Sequence, residues 1–509
     1  MTTKELLQQY EEYKLKISAY SLAMTTMYFD MQTTAPKKSG IYRNPRLAYL
    51  EGELFSLTHS QEYFDLLETL SKAEDVDELT RKETAAILKD LNKTRNIPKD
   101  VYVAYSELAL NSENAWEEAY HANDYSIFEP YLKKVIEGKS KLLTYRDDYG
   151  TKSNYDLLLD DYEPGMNSEE YDKFFNLIKE ELVPLIHKIV TKGKIDDSFL
   201  YKHYPREIQA KVMKELMDYL HFDFESGILR ESLHPFTSSF SKYDNRITTK
   251  YLEDKLDSSI FSVIHESGHA TYNAQVSDEL AETYFFDNMS MGMHESQSRT
   301  FEIYLGKNRA FWEANYPLLQ EAYPEQLGEV TLDQFVDAVN ASTPSLIRTE
   351  ADELTYPLHI LIRYEIEKAL FNGEISVEHL DEVWNSKYEE YLGIRPEDDR
   401  TGILQDVHWS DGSFGYFPTY ALGSAYAAQF IHAMRKDLDI EDCLRSSCFD
   451  LIKDWLKEHI HKYGGSNLPK EQIKIATGEP FDPHYYINHL KEKYTRLYHV
   501  TYSHHLHKS

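Results

Sequence analysis

Turn-forming residues are scarce in this chain: 20 glycines and 17 prolines fill 37 of 509 positions, about 7%, where average usage is roughly 12%. A fold of many short strands needs a tight turn every few residues, and that supply is missing. The chain is therefore expected to be mostly α. Local signals agree. Thr2 and Glu5 have the spacing of a capping box, opening a helix from residue 3 to about 31. Charged helical text runs from 41 to about 145, punctuated by Pro98 and Pro130. Glu163-Pro164-Gly165 reads as a turn, and Asn167-Ser168-Glu169-Glu170 as the start of a helix over 168–192. Further helices are expected near 205–221, 260–277, 294–312, 344–372 and 423–436. No internal repeat or low-complexity linker divides residues 1–509, which read as one helical unit, two-lobed at most.

One segment breaks the helical style. Ser232–Tyr251 is rich in Ser, Thr and aromatics, and Ile247, Thr249 and Tyr251 alternate with Arg246, Thr248 and Lys250. A period of two predicts a short strand or hairpin there. Charge narrows the partners. With 55 Lys and Arg against 86 Asp and Glu, the formal charge is −31, which argues against nucleic acid and against an anionic membrane surface. Cys443 and Cys448 are too few for a disulfide framework and read as two reduced thiols. No apolar run reaches 18 residues, and Met1-Thr2-Thr3-Lys4-Glu5 leads into a polar helix and not a leader, so a cytoplasmic protein is expected. The tail histidines His499, His504, His505 and His507 lack companion ligands and read as a loosely held end.

The chemistry lies in Ile264-His265-Glu266-Ser267-Gly268-His269, an HExxH pattern. Residues four apart share one helix face, so His265 and His269 can offer two imidazoles to one ion, while Glu266 beside them can serve the ion's water. Ser258-Ser259 suits the helix cap. A catalytic zinc needs a third protein ligand. Glu295, 26 residues after His269, lies in the first turn of the next expected helix, far enough along for the chain to return antiparallel. On local chemistry alone His294 competes with it, and Glu302 is a further option two turns on. The structural alternatives are a solvated face for the two histidines and for Glu302, and for Glu295 a carboxylate stabilising a helix N-terminus.

HESGH followed by HESQSR resembles the carboxypeptidase Taq family of metallocarboxypeptidases. Further stretches match that family's pattern in order: His234-Pro235-Phe236, Asp244-Asn245-Arg246-Ile247-Thr248, Ile347-Arg348-Thr349-Glu350-Ala351-Asp352-Glu353, and Gly402-Ile403-Leu404-Gln405-Asp406-Val407-His408-Trp409. Tyr28-Phe29-Asp30-Met31-Gln32-Thr33 is similar to the family's opening helix, with Tyr-Phe in place of the usual Trp. The resemblance implies Glu295 as the third ligand of one zinc per chain, with cobalt or another divalent ion as a substitute. It implies a mostly helical, two-lobed fold around a deep groove, a homodimer, and broad release of C-terminal residues other than proline. Many zinc endopeptidases carry an acidic residue four positions after the ligand Glu; here that position is Arg299, which leaves the outer partners of the zinc histidines unassigned.

A carboxypeptidase must recognise a free chain end, whose mark is a carboxylate. Arg holds carboxylates by a planar fork, and two arginines fall in the family-like stretches. Arg348 is favoured as the clamp, and Arg246 as a group that holds the site together. The structural alternative for either is a buried ion pair with Asp244 or Glu350. In this reading zinc supplies Lewis acidity and Glu266 carries a proton from the attacking water to the leaving amine. His408 and Tyr420 are candidate donors to the oxyanion, with Tyr416 a rival, and His234 is a candidate for the groove wall. The alternatives are a zinc oligopeptidase cutting internally and a non-catalytic helical scaffold.

Overall fold

The computed structural model describes residues 1–501, so His504, His505 and His507 lie outside the described residues. The chain is 67% helical with one small sheet, as the shortage of turn-formers predicts. The first helix, Thr3–Thr33, carries both halves of its capping box: Glu5 N–H donates to Thr2 Oγ1, and Thr2 N–H to the Glu5 carboxylate. Asn167 caps Ser168–Val190 by accepting from Glu170 N–H.

Several boundaries move for identifiable reasons. Pro130 sits inside Tyr125–Leu143 and does not end it, whereas Pro98 immediately precedes Lys99–Ala122. The expected helix over 344–372 is shorter, Tyr356–Phe371 with Pro357 in its first turn. The residues before it form an irregular stretch, where the Asp352 carboxylate accepts from the N–H groups of Thr343, Leu354 and Thr355. The helix expected over 423–436 opens earlier, at Pro418, and runs to Asp437. Ser258-Ser259 do not cap the HExxH helix, which spans Leu256–Ala274. Ser259 instead lies inside it, bonded to Gln209 of Arg206–Tyr219.

The Ser232–Tyr251 segment forms the expected hairpin, with a third strand that its alternation did not reveal. β1 (Gly227–Glu231) pairs parallel with β3 (Asp244–Thr249), and β2 (Thr237–Ser241) pairs antiparallel with β3, giving the order β1-β3-β2. Thr237 stands opposite Ile247, and Ser239 opposite Asn245. Thr248 and Thr249, on opposite faces of the alternation, are both buried; residues 232–236 fold over Thr248, whose hydroxyl oxygen accepts from Phe236 N–H and Ser232 Oγ.

A large apolar core extends from Ala119 to Tyr498 and includes Ile260, Val263 and Ile264 of the HExxH helix. A smaller one packs Tyr10 and Tyr13 of the first helix against Tyr63, Leu67 and Leu70. Cys443 is buried, Cys448 is exposed, and both are free thiols. No helix among the described residues is long and apolar enough to cross a membrane.

Candidate active site

Three helices build the site: the glutamate helix (Met291–Arg299) packs between the histidine helix (Leu256–Ala274) and a covering helix (Pro418–Asp437), and β2 lies against the histidine helix. Their approach is set by glycines. A Cβ on Gly268 would lie 2.6 Å from the carbonyl oxygen of Gln297 and 2.7 Å from Ser298 Cα, and one on Gly423 would lie 2.6 Å from Glu295 Cγ. Only a residue without a side chain fits at either place. The glutamate helix begins at Met291, capped by Ser290, so Glu295 stands a full turn inside it and is no N-terminal carboxylate. The single helix expected over 294–312 is interrupted. Residues Thr300–Gly306 form a π turn, a feature common beside functional sites, and Arg309–Ala322 follows as a separate helix.

His265, His269 and Glu295 each bring one ligand atom to a common point, all within 4.8 Å of one another. Glu295 Oε2 is 3.7 Å from Nε2 of both histidines. That is too long for a hydrogen bond. It is close to the roughly 3.3 Å that separates two ligands of one ion held by bonds of about 2.0–2.1 Å in tetrahedral geometry. The donor set, two imidazole nitrogens and one carboxylate oxygen, fits a divalent ion with a position left for water or substrate.

Hydrogen bonds behind these groups fix which atoms face the ion. His265 Nδ1–H donates to Glu302 Oε2 at 2.8 Å, leaving Nε2 as the free lone pair. His269 Nδ1 meets His294 Nδ1 at 2.6 Å, and His294 Nε2 meets Asn273 Oδ1 at 3.2 Å. Asn273 Nδ2–H then donates to Ser239 Oγ of β2 at 2.6 Å. Reading the protons back from Asn273, the network assigns the Nδ1–H tautomer to His269, again freeing Nε2. Glu302 is thus no solvated face residue, and it and His294 each stand one hydrogen bond behind a histidine of the group that could hold a metal. Arg299 Nε donates to Glu295 Oε1 at 2.7 Å and Ser298 Oγ to Oε2 at 3.1 Å, so that Oε2, the oxygen nearer the two histidines, keeps one lone pair to offer, and Arg299 Nη1 reaches Glu302 Oε2 at 3.3 Å. Sequence reasoning missed these roles because the π turn alters the register on which Glu302 was judged.

Burial disfavours charge on His269, and with His294 and His265 beside it holds its pKa well below the usual value. Burial acts on His265 in the same sense, but Glu295 and Glu302 outweigh it and raise the imidazole. Burial likewise opposes ionisation of Glu302, yet Arg299 and His265 bring it down to about 2. Glu266, 7% exposed, is raised by burial, while its Oε2 accepts from Thr237 Oγ1 of β2 at 2.6 Å.

A cavity of about 500 Å³ opens over this centre. His265, Glu266, His269, Glu295, Tyr416 and Tyr420 line it, joined by Thr237, Ser239, His294, and the apolar Phe286 and Met289. Four candidates stand off its wall. His234 is exposed. Arg246 lies over Phe240, with Nε and Nη2 on the two oxygens of Asp244 at 2.8 and 2.7 Å. His408 packs behind Tyr416 and Phe417, its Nδ1 buried without a hydrogen-bond partner, and burial lowers its pKa to about 4. Arg348 is buried beneath Tyr420, its guanidinium carbon 5.2 Å from that ring, and pairs with Asp406 Oδ1 at 2.8 Å instead of with Glu350. Arg363 takes the other oxygen, Oδ2, at 2.7 Å.

Two outcomes follow from these contacts. Glu302→Ala removes the partner of His265, and metal affinity should fall about 10- to 100-fold in a chelator competition titration. Asp406, whose burial is outweighed by Arg363 and Arg348, has its pKa held well below the usual carboxylate range. Its stabilising effect is therefore complete above the unfolded value of about 3.9 and is lost as pH falls toward the folded one. Asp406→Asn should leave two buried guanidiniums unpaired and cost about 3–5 kcal/mol in denaturant unfolding at neutral pH.

With this geometry in hand, relatives are informative. A family profile described as carboxypeptidase Taq (M32) metallopeptidase matches residues 9–494. Carboxypeptidase 1 of Bacillus subtilis is 42% identical over 487 residues, covering 95% of this chain and 97% of that one. Thermostable carboxypeptidase 1 of Thermus thermophilus is 37% identical, covering 98% and 100%. The crystal structure of an M32 carboxypeptidase from Deinococcus radiodurans superposes with a TM-score of 0.94 at 31% identity, covering 97% of this chain and 100% of that one. The chain belongs to the carboxypeptidase Taq (M32) metallopeptidases and is a metal-dependent peptide hydrolase.

Proposed function

We propose that this chain is a zinc carboxypeptidase that removes single residues from the free C-terminus of peptides, with broad specificity and poor release of proline. The observation that carries the reading is the juxtaposition of Glu266 with the His265, His269 and Glu295 ligand atoms on the wall of one cavity. Those three residues would hold zinc, or cobalt or another divalent ion in its place, and the ion would supply Lewis acidity at the scissile carbonyl. Glu266, raised by burial and oriented by Thr237, takes the proton of the attacking water and delivers it to the leaving amine. The Tyr420 and Tyr416 phenols, both raised by burial, stay protonated at neutral pH and donate to the carbonyl oxygen as it gains charge. His408, behind Tyr416 and neutral, supports that ring.

Buried beneath Tyr420, Arg348 acts on the substrate carboxylate through its field and not as a direct clamp, and in that role it is preferred to Arg246. Asp244 neutralises Arg246 with both its oxygens, whereas Asp406 divides its charge between Arg348 and Arg363, so that the trio keeps a net positive charge. A homodimer in the cytoplasm completes the proposal; two free thiols, one of them exposed, suit a reducing compartment.

Digestion of a peptide and its C-terminally amidated twin, followed by mass spectrometry, tests the reading. A ladder of single-residue losses from the free acid, with the amide left intact, is the expected result; internal cuts in both peptides would identify an oligopeptidase. Glu266→Gln should retain one metal per chain and lose nearly all turnover, on the order of 10²–10⁴-fold or more. Turnover close to the original would remove Glu266 from its role as base.

A further inference from the structure

Far from the metal motif in sequence, the Glu163-Pro164-Gly165 turn carries a carboxylate that the reaction does not use. Glu163 is fully buried, and its partners among the described residues are Gly292, Tyr426 and Ser290, none of them a cation. A buried charge without a partner is costly, so its contacts must return something. Its Oε2 accepts from Gly292 N–H at 2.9 Å, an unsatisfied donor in the first turn of the glutamate helix. Its Oε1 accepts from Ser290 Oγ, the cap of that helix, at 3.3 Å, and from Tyr426 Oη of the covering helix at 3.1 Å. A Cβ at position 292 would lie 2.8 Å from Glu163 Oε2 and 3.0 Å from its Cδ, so alanine there would push this carboxylate off its three donors.

Both helices bracket Glu295. Gly292 lies one turn before it on the same face, and Tyr426 lies one turn after Gly423, whose backbone abuts the Glu295 side chain. We propose that Glu163 is the positioning residue of the third metal ligand: by holding the first turn of the glutamate helix and Tyr426 of the covering helix in one carboxylate, it sets where Glu295 Oε2 stands. The helix N-terminus and three donors favour the anion, but burial outweighs them and raises Glu163 to about 7. The proposal rests on Glu295 being a ligand, and the experiment separates the two ideas.

The full chain is stripped with a chelator and titrated with Co²⁺ alone, reading affinity and the visible absorption of the bound ion, at a temperature where circular dichroism shows each variant folded. Glu163→Ala should weaken Co²⁺ about 10- to 100-fold and alter its spectrum. Glu163→Gln should recover most of both, because its amide oxygen can accept from Gly292 while its NH₂ donates to the Ser290 and Tyr426 oxygens. Gly292→Ala should behave like Glu163→Ala, and carries the test should the latter not fold. A folded Glu163→Ala or Gly292→Ala with the original affinity and spectrum, even at a lower melting temperature, overturns the proposal. Glu295→Ala is the control. If it loses Co²⁺ while Glu163→Ala does not, only the positioning role falls; if it binds as before, the ligand assignment fails and the proposal with it.

Discussion

Between Gly268 and the backbone of Gln297 and Ser298 there is no room for a methyl group, and the whole centre depends on that contact. Two helices normally pack 8–10 Å apart, a distance set by the side chains between them. Removing the side chain at 268 lets the histidine helix and the glutamate helix come closer. The short Glu295 side chain, held on its other side by Gly423, then reaches the ion position that His265 and His269 define from the opposite helix. The HExxH pattern supplies two of the three candidate ligands, but the glycine inside it supplies the approach.

The second requirement is direction. An imidazole offers a metal either nitrogen, and only the hydrogen bond at the other settles which. His265 receives that instruction from Glu302 on the π turn. His269 receives it through His294 and Asn273 from Ser239 on β2. The same strand holds Glu266 through Thr237, two residues earlier and on the same face. One edge strand of a three-stranded sheet therefore orients both a ligand and the carboxylate beside it, which explains why a largely helical protein retains a hairpin at this point.

These relations sort by how legible they were in the sequence. The capped starts at Thr2 and Asn167, the hairpin and the paired histidines all rest on signals within a few positions of one another, and sequence carries such signals directly; the mostly α fold rests on composition along the whole chain, and Glu295, 26 positions from His269, on the resemblance to a family. Glu302 and His294 were visible as residues, but their roles depend on a π turn and on the crossing of two helices, neither of which leaves a local periodicity. β1 pairs with β3 across an intervening strand, and Glu163 meets Gly292 across 129 positions. Contacts of that range are settled by packing of the assembled chain. Thr248 shows the same limit on a smaller scale: alternation gives the strand, but the loop that folds back and buries this residue leaves no mark in that period.

Electrostatics resolves a tension left by composition. A chain of charge −31 repels an anionic peptide end at long range, although salt at physiological strength screens this beyond about 8 Å. Attraction must then be local, and proximity to the cavity does not by itself supply it, because a guanidinium paired one-to-one with a carboxylate presents little field. The arrangement around Asp406 differs. One carboxylate shared between two buried arginines leaves a positive remainder, placed in low dielectric where it is weakly screened, under a tyrosine ring that lines the cavity. Asp406 thus keeps both cations folded into the protein without cancelling them, a balance that pairing each arginine with its own acid would have lost.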